Sequence, residues 1–393
     1  MRAGVAPSTL RRLNSSVVLR ALAEHDEPVT MAVLVREVAL SRRTVELILA
    51  RLCDEGWVDE TAADPAKADV GRPPRTFRFR ADRALVAAVR IDTDFASAVV
   101  CDIRGRILGR SLRPLREYSS PEASVEDVVH AVEEAVAASG LPRERIHAGA
   151  VAAGGAIDER GVVTRLVNSR RWNGFALADA LADRLGVPFF ADNDANLAAL
   201  AERWRGVAAD SATSAWCILG NRTGVGLVIN GAVHRGFRGA AGELIEAGAL
   251  ATAGMENTPF GFLTSPQEAE RELAHRSADA ARAGDPEMLR ELDAFVDHLA
   301  ALLSTLSWTV SPDLIVLGGG LEEAEDLLLP RVTVAMRALG TLDVDVRSTV
   351  LGTDAPLIGA VKFVLDRMDV AFFGPTLAAQ PTRPRAAVRS RPS

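Results

Sequence analysis

Phe189-Phe190-Ala191-Asp192-Asn193-Asp194-Ala195-Asn196 is the stretch that decides the fold. Val187, Phe189 and Phe190, set around Pro188, read as a buried strand. Ala195 to Arg205 then carries a helical pattern, with Leu197, Leu200 and Ala201 on one face and Asn196 and Glu202 off it. Asn193 and Asp194 therefore stand where a strand gives way to a helix, the place where open α/β sheets present ligand-binding groups. A carboxylate there has two uses. It caps the helix by accepting from a backbone N–H two or three residues on, or it takes a proton from a substrate hydroxyl. Spacing leaves both open, the cap being the commoner fate.

Working outward, 393 residues with 48% hydrophobic and 25% charged content suffice for two or three domains with real cores. Cys53, Cys101 and Cys217 fit no zinc or redox spacing, which suits a reducing cytoplasm. Met1-Arg2-Ala3-Gly4 does not open a signal peptide, and no apolar run approaches a membrane span, so no membrane partner is expected. Only Lys67 and Lys362 are lysine; the other basic residues are arginine. The net charge of −7 is unevenly spread, because residues 1–80 hold 13 basic and 11 acidic side chains. A basic end is concealed by an acidic mean.

That end reads as three helices in quick succession. Leu13 to Ala23 buries Val17, Val18, Ala21 and Leu22. Thr30 caps Met31 to Val38, and Ser41 caps Arg42 to Asp54. Only Ala39 and Leu40 precede the second cap, the tight connection of a helix-turn-helix. In the third helix Val45, Ile48, Leu49 and Leu52 form the buried stripe, leaving Arg42, Arg43, Thr44, Glu46, Leu47 and Arg51 outward. Two arginines in a first turn oppose the helix dipole, at a few tenths of a kcal/mol each. They make sense against phosphates and base edges in a major groove. Gly56 ends the helix, Trp57-Val58 begins a strand, and Thr76-Phe77-Arg78-Phe79-Arg80 alternates as a second one. The polar stretch between them is a wing, closed by Gly71-Arg72-Pro73-Pro74-Arg75. Proline stiffens that segment and holds Arg72 out for a narrow minor groove.

The rest of the chain reads as α/β. Strands are expected at Leu85–Ile91, Phe95–Cys101, Arg106–Leu112 and Ile146–Ala152, with a helix near Val125–Ala138 before the last of these. Further strands follow at Ala215–Leu219, Leu227–Ile229, Leu314–Leu317 and Val344–Leu351, with helices near Ala294–Thr309, Glu323–Leu339 and Leu357–Met368. Hairpins followed by helix-linked strands occur twice, which predicts two related lobes with a cleft between them.

Arg12-Leu13-Asn14, Gly71-Arg72-Pro73, Asn193-Asp194-Ala195-Asn196, Gly239-Ala240-Ala241-Gly242-Glu243 and Pro312-Asp313-Leu314-Ile315-Val316-Leu317-Gly318-Gly319-Gly320 stand in an order and spacing that resemble one family. It is the ROK family (repressors, open reading frames and sugar kinases), in its winged-helix repressor branch, and the resemblance runs from Leu10 to about Met368. It implies a two-lobed actin/hexokinase-like (ribonuclease H-like) domain. In the family's kinases the aspartate matching Asp194 takes the proton from the sugar's 6-hydroxyl. The residues matching Asn193 and Glu243 hydrogen-bond sugar hydroxyls, and Asn168 occupies another sugar-side position.

The chain also departs from that family. Where the first phosphate loop reads Asp-x-Gly-Gly-Thr, this sequence has Asp92-Thr93-Asp94-Phe95-Ala96. A carboxylate about 4 Å from a phosphate repels it by several kcal/mol at intermediate dielectric. The second loop, Gly-Thr-Gly-x-Gly-x-Gly in the family, is Gly220-Asn221-Arg222-Thr223-Gly224-Val225-Gly226. The family's zinc-binding and sugar-contacting histidine is replaced by Glu246, and no cysteine follows Cys217, so the thiolates of a tetrahedral zinc site are missing.

The expectation is a winged helix-turn-helix at residues 1–82, a ROK ligand-sensing and dimerisation domain at 83–373, and a disordered basic tail at 374–393. The candidate DNA contacts are Ser41, Arg42, Arg43, Thr44, Arg51 and Arg72; the candidate ligand contacts are Asn168, Asn193, Asp194, Glu243 and Glu246. The partners would be operator DNA, a sugar-like effector and a second copy of the chain, with no cofactor, no metal and no catalysis. Two rival readings are a sugar kinase that keeps a DNA-binding domain, and a ligand-independent regulator that uses the lobes only to dimerise.

Overall fold

The computed structural model describes residues 7–62, 75–167, 169–244, 254–341 and 343–374. Contacts group the chain into two units: Met1–Arg83 with Arg367–Ser393, and Ala84–Asp366. The boundary expected from the sequence is at 82/83. The end of the last helix, assigned above to the second domain, groups with the first unit.

In the first unit, helix α1 (Pro7–Ala23) is followed by the short strand β1 (Val29–Thr30), α2 (Met31–Val38), α3 (Arg42–Asp54), β2 (Val58–Ala62) and β3 (Arg75–Phe79). Ala39 takes a left-handed conformation (φ 51°) to turn the chain from α2 toward α3. Ser41 then caps α3 by accepting from the Thr44 N–H at 3.2 Å. Thr30 has the backbone of a cap but no side-chain cap bond. The three strands pair antiparallel in the order β1-β3-β2. Leu22, Leu34, Leu49 and Phe77 close the core between helices and sheet. The far end of the chain completes this unit. Arg20 donates to both Asp369 carboxylate oxygens at 2.8 and 2.7 Å and to the Gly374 carbonyl at 2.9 Å, and it lies over the Phe373 ring. The wing between β2 and β3, with Arg72, lies outside the described residues, as do residues 375–393.

The second unit holds two five-stranded sheets. The first comprises β4 (Leu85–Ile91), β5 (Phe95–Asp102), β6 (Ile107–Pro114), β7 (Ile146–Ala153) and β10 (Phe189–Asn193), with α4 (Pro121–Ser139) and α5 (Leu177–Leu185) in its connections. A small hairpin, β8 (Ala156–Ile157) and β9 (Val163–Arg165), stands apart. The second sheet comprises β11 (Ser214–Leu219), β12 (Thr223–Ile229), β13 (Ala232–Val233), β14 (Leu314–Leu317) and β15 (Asp345–Ser348). It follows α6 (Asp194–Arg205) and carries α7 (Glu268–Arg282), α8 (Pro286–Val310), α9 (Glu325–Ala338) and α10 (Ala355–Phe373). The orders are β10-β7-β4-β5-β6 and β15-β14-β11-β12-β13. Each sheet is thus an antiparallel three-stranded meander extended by two parallel strands, and the two match strand for strand. This is the duplicated α/β architecture expected from the sequence.

Apart from the exposed His147 near the start of β7, the central parallel strands are buried, so they read as continuous apolar runs rather than alternating ones. The sequence reading missed α5 and α7. In α7 the buried stripe is Ala274, Ser277, Ala278 and Ala281, side chains too small to give a hydrophobic period. The helix expected at Ala294–Thr309 starts eight residues earlier, because Asp285 caps it and Pro286 is its first residue.

Helix α6 crosses the second sheet closely. A Cβ on Gly226 would come within 2.0 Å of the Ala195 carbonyl oxygen, at the first turn of α6. Gly226→Ala should therefore lower the stability of the second unit by about 1–3 kcal/mol, read by urea denaturation. An unchanged midpoint would mean that α6 does not sit where this packing puts it.

Candidate functional site

Strand β10 delivers Asp192 and Asn193 to the start of α6, and here the structure corrects the reading of the opening stretch. Asn193, not Asp194, is the helix cap: its Oδ1 accepts from the Asn196 N–H at 3.0 Å. Its amide nitrogen donates to the Gly155 carbonyl at 3.0 Å and to Glu243 Oε1 at 3.1 Å. Every polar group of this side chain is therefore engaged within the protein, so Asn193 positions Glu243. Asp194 is the first helical residue, and its Oδ1 accepts from the Ala195 N–H at 2.8 Å. That leaves Oδ2 facing the cleft.

Oδ2 of Asp194 does not face water alone. Arg222, on the loop between β11 and β12, reaches it with Nη2 at 3.2 Å and reaches Asp92 Oδ2 with Nη1 at 3.0 Å. Asp92 follows β4, its N–H donating to the Phe95 carbonyl to make a tight turn into β5. Arg90 pairs with the same carboxylate, donates to the Thr353 carbonyl at 2.7 Å and lies over the Phe95 ring. The cleft centre is thus a chain of alternating charge, Arg90–Asp92–Arg222–Asp194, with Asp92 only 4% exposed. Burial alone would raise the Asp92 carboxyl; Arg222, Arg90 and the Thr93 N–H outweigh it and hold the group below its usual range. Burial likewise pulls down on the Arg222 guanidinium, and the two aspartates more than reverse that.

A cavity lies on each side of this chain. One, of about 170 Å³, is lined by Thr93, Tyr118, Gly154, Gly155, Asn193, Asp194 and Glu243 among others. The other, of about 270 Å³, is lined by Trp216, Thr264, Arg271, Gly319, Gly320 and Glu323 among others. Asp92, Asp194 and Arg222 border both, so the ion pairs form the partition. Among the described residues Thr93 Oγ1, on the wall of the smaller cavity, is buried with no hydrogen-bond partner. Sequence reasoning missed Thr93, Tyr118 and Arg90 as cleft residues. It also missed that Arg222 bridges Asp92 and Asp194. Their spacing carries no motif, although a lone tyrosine in 393 residues was a signal available to be weighed. Asn168 and Glu246 lie outside the described residues.

The loop amides that would cradle a phosphate are occupied. Asn221 N–H donates to the Gly261 carbonyl at 3.1 Å and Arg222 N–H to Thr264 Oγ1 at 3.0 Å. Most of the surviving glycines are needed for packing. A Cβ on Gly220 would meet Thr264 Oγ1 at 2.6 Å, and one on Gly320 (φ 114°) would meet the Leu263 carbonyl oxygen at 2.0 Å. Their retention follows from backbone approach and needs no nucleotide.

In the first unit Arg42 and Arg43 are exposed at the start of α3, with Thr44 half-buried. Ser41 is engaged as the cap, its Oγ also 2.8 Å from Thr44 Oγ1. Arg51 pairs with Glu55 at 2.7 Å. Of the expected contacts, Arg42 and Arg43 are therefore the best presented.

The ROK family model matches residues 86–247 and 258–367. The chain belongs to the ROK family. Among the relatives of this ROK protein, the xylose repressor of Bacillus subtilis strain 168 is 22% identical over 373 residues, 91% of this chain and 96% of that protein. The glucokinase of Thermotoga maritima is 27% identical over 297 residues, covering 92% of the glucokinase but 66% of this chain. A Caldicellulosiruptor relative (strain Rt8B.4) is matched at 24% identity over 58% of its own length. A crystal structure of a ROK family transcriptional regulator, a homologue of the Escherichia coli MLC protein, superposes with a TM-score of 0.68 at 19% identity, covering 93% of this chain and 99% of that one. A Streptomyces griseus ROK glucokinase with glucose and AMPPNP gives 0.58 at 24% identity, covering 71% and 99%. These likenesses establish the ROK fold of the second unit.

Removing Asp92 leaves two guanidinium groups without their shared partner. Asp92→Ala should cost about 3–5 kcal/mol at pH 7. The carboxylate's folded pKa lies below its ordinary 3.8, so its contribution is complete above pH 3.8 and fades as pH falls through the lowered value. The denaturation curves of the two proteins should thus converge only in acid; a gap that persists unchanged at pH 2 would show that packing, not charge, is lost.

Proposed function

We propose that this ROK protein is a DNA-binding transcriptional repressor whose second unit senses a sugar and transfers no phosphate. The first unit acts as a winged helix-turn-helix, with α3 as the recognition helix and Arg42, Arg43 and Thr44 as contacts to operator DNA. Arg72 extends the contact into the minor groove. The protein works in the cytoplasm as a homodimer, so that two copies address a two-fold symmetric site. Among the described residues no helix is long and apolar enough to cross a membrane.

The observation that carries this reading is coverage: the xylose repressor matches over nearly all of both chains, whereas the glucokinase accounts for two thirds of this one. The Arg222 bridge supports the non-catalytic half of the proposal. Phosphoryl transfer depends on positioning and on stabilising negative charge. Here the line from Asp194 to the first loop is taken by a guanidinium, and Asp94 stands where the family's loop has its first glycine. The effector site is the smaller cavity, where Asp194, Glu243, Thr93 and Tyr118 offer acceptors and hydroxyls to a monosaccharide-sized polyol, with Asn168 and Glu246 as further contacts. Sugar binding changes DNA affinity only to the extent that it favours one arrangement of the lobes.

The test uses the full chain. Duplexes are enriched on it from a random library, their binding is titrated with and without pentoses, hexoses and N-acetylhexosamines, and ATP hydrolysis is followed with each sugar. One sugar should raise thermal stability, by about 2.7 kcal/mol at a hundred times its Kd, and shift the DNA titration. Failure to enrich any duplex would sink the regulator, and sugar-dependent ATP turnover would sink the non-catalytic domain. Asp194→Asn should weaken the sugar roughly ten- to a hundredfold by calorimetry, with sugar-free DNA binding unchanged.

A further inference from the structure

We propose that Leu47 reads the 5-methyl group of a thymine in the major groove, about two base pairs from a guanine read by Arg43. This deepens the DNA-binding reading above and rests on it. Helix α3 already buries a complete stripe, Val45, Ile48, Leu49 and Leu52, toward its own core. On the opposite side it points Arg43, Leu47 and Ala50 outward, all exposed. Leu47 is 64% exposed, so the folding of its own unit gives no reason for a large apolar side chain there.

Charge names the chemistry of what covers it. Arg43 lies one turn N-terminal to Leu47 on the same strip, with Arg42 beside it. Among the described residues neither arginine has an ion-pair partner, whereas Arg51 further along is held by Glu55. An apolar side chain beside unpaired arginines at the exposed start of a helix fits a major-groove floor, where thymine alone presents a methyl group and guanine presents paired acceptors to arginine. Glu46, exposed to one side of the strip, repels phosphate and accepts only from amino edges, which keeps this part of the helix on bases. Four residues of helix advance about 6 Å. Base pairs repeat about every 3.4 Å, which sets the separation at about two steps.

The experiment is a deoxyuridine scan. A duplex enriched on the full-length protein is resynthesised with each thymine replaced in turn by deoxyuridine, which removes the methyl and nothing else. At one position per half-site affinity should fall about fourfold, the worth of one buried methyl. That position should lie about two base pairs from a guanine whose replacement Arg43→Ala no longer senses. In Leu47→Ala the deoxyuridine effect should vanish while binding to random duplex stays as in the parent, which also reports that the variant is folded. A flat scan with the parent protein, or a scan unaltered by Leu47→Ala, overturns the assignment with the DNA-binding reading intact. If no duplex is enriched at all, both fall together.

Discussion

One guanidinium holds the second unit's cleft in its present form. Arg222 comes from the hairpin of the second sheet, and its two nitrogens meet a carboxylate at the end of β4 and another at the start of α6. The second sheet's hairpin is thereby tied to the end of the first sheet's central strand and to the β10–α6 junction. Such a network contributes little net stability compared with an apolar filling of the same volume, since desolvation offsets most of the attraction. Its effect is on arrangement. With Arg90 and Arg222 balancing Asp92 and Asp194, the centre of the cleft is neutral, and the two cavities that adjoin it are kept apart.

This changes what surviving motifs mean. Three of the four glycines in the second phosphate loop remain, and so does Gly318-Gly319-Gly320. Read as sequence, they suggest a nucleotide site. In the structure each close approach has a protein atom on its other side: Gly220 against Thr264, Gly226 against Ala195, Gly320 against Leu263. A fold that places a strand hairpin under a helix N-terminus demands these glycines whether or not a phosphate ever arrives. The positions that differ from the family's loops, 94, 95, 96 and 222, are not among these close approaches.

The legibility of the sequence followed the range of the interactions. Helices α2 and α3 were readable to the residue, because Ser41, the left-handed turn at Ala39 and a four-residue apolar stripe are all local. The duplicated lobes were readable from the recurrence of hairpins and apolar strands. Helix α7 was not, since alanines pack it. At the cleft, the junction of β10 and α6 was located correctly but its cap was off by one residue, as Asn193 and Asp194 are both competent caps and only the backbone angles separate them. The partners of Arg222 lie 130 and 28 residues away, and no spacing rule spans such gaps. Tyr118 and Thr93 became cleft residues only when α4, β5 and β10 had been folded around them.

The first unit has a property that its helices alone do not suggest. Arg20 and its partner Asp369 are 349 residues apart, and Phe373 and Gly374 lie beyond. On a ribosome adding roughly 5–20 residues per second, α1 waits on the order of 20–70 s before the segment that completes its packing exists. The part of the protein made first is therefore finished last. Every chain that breaks off before residue 369 carries α1 without Asp369, Phe373 and Gly374. Completion of the N-terminal unit is thus a built-in proof that translation has reached the end of the ROK domain.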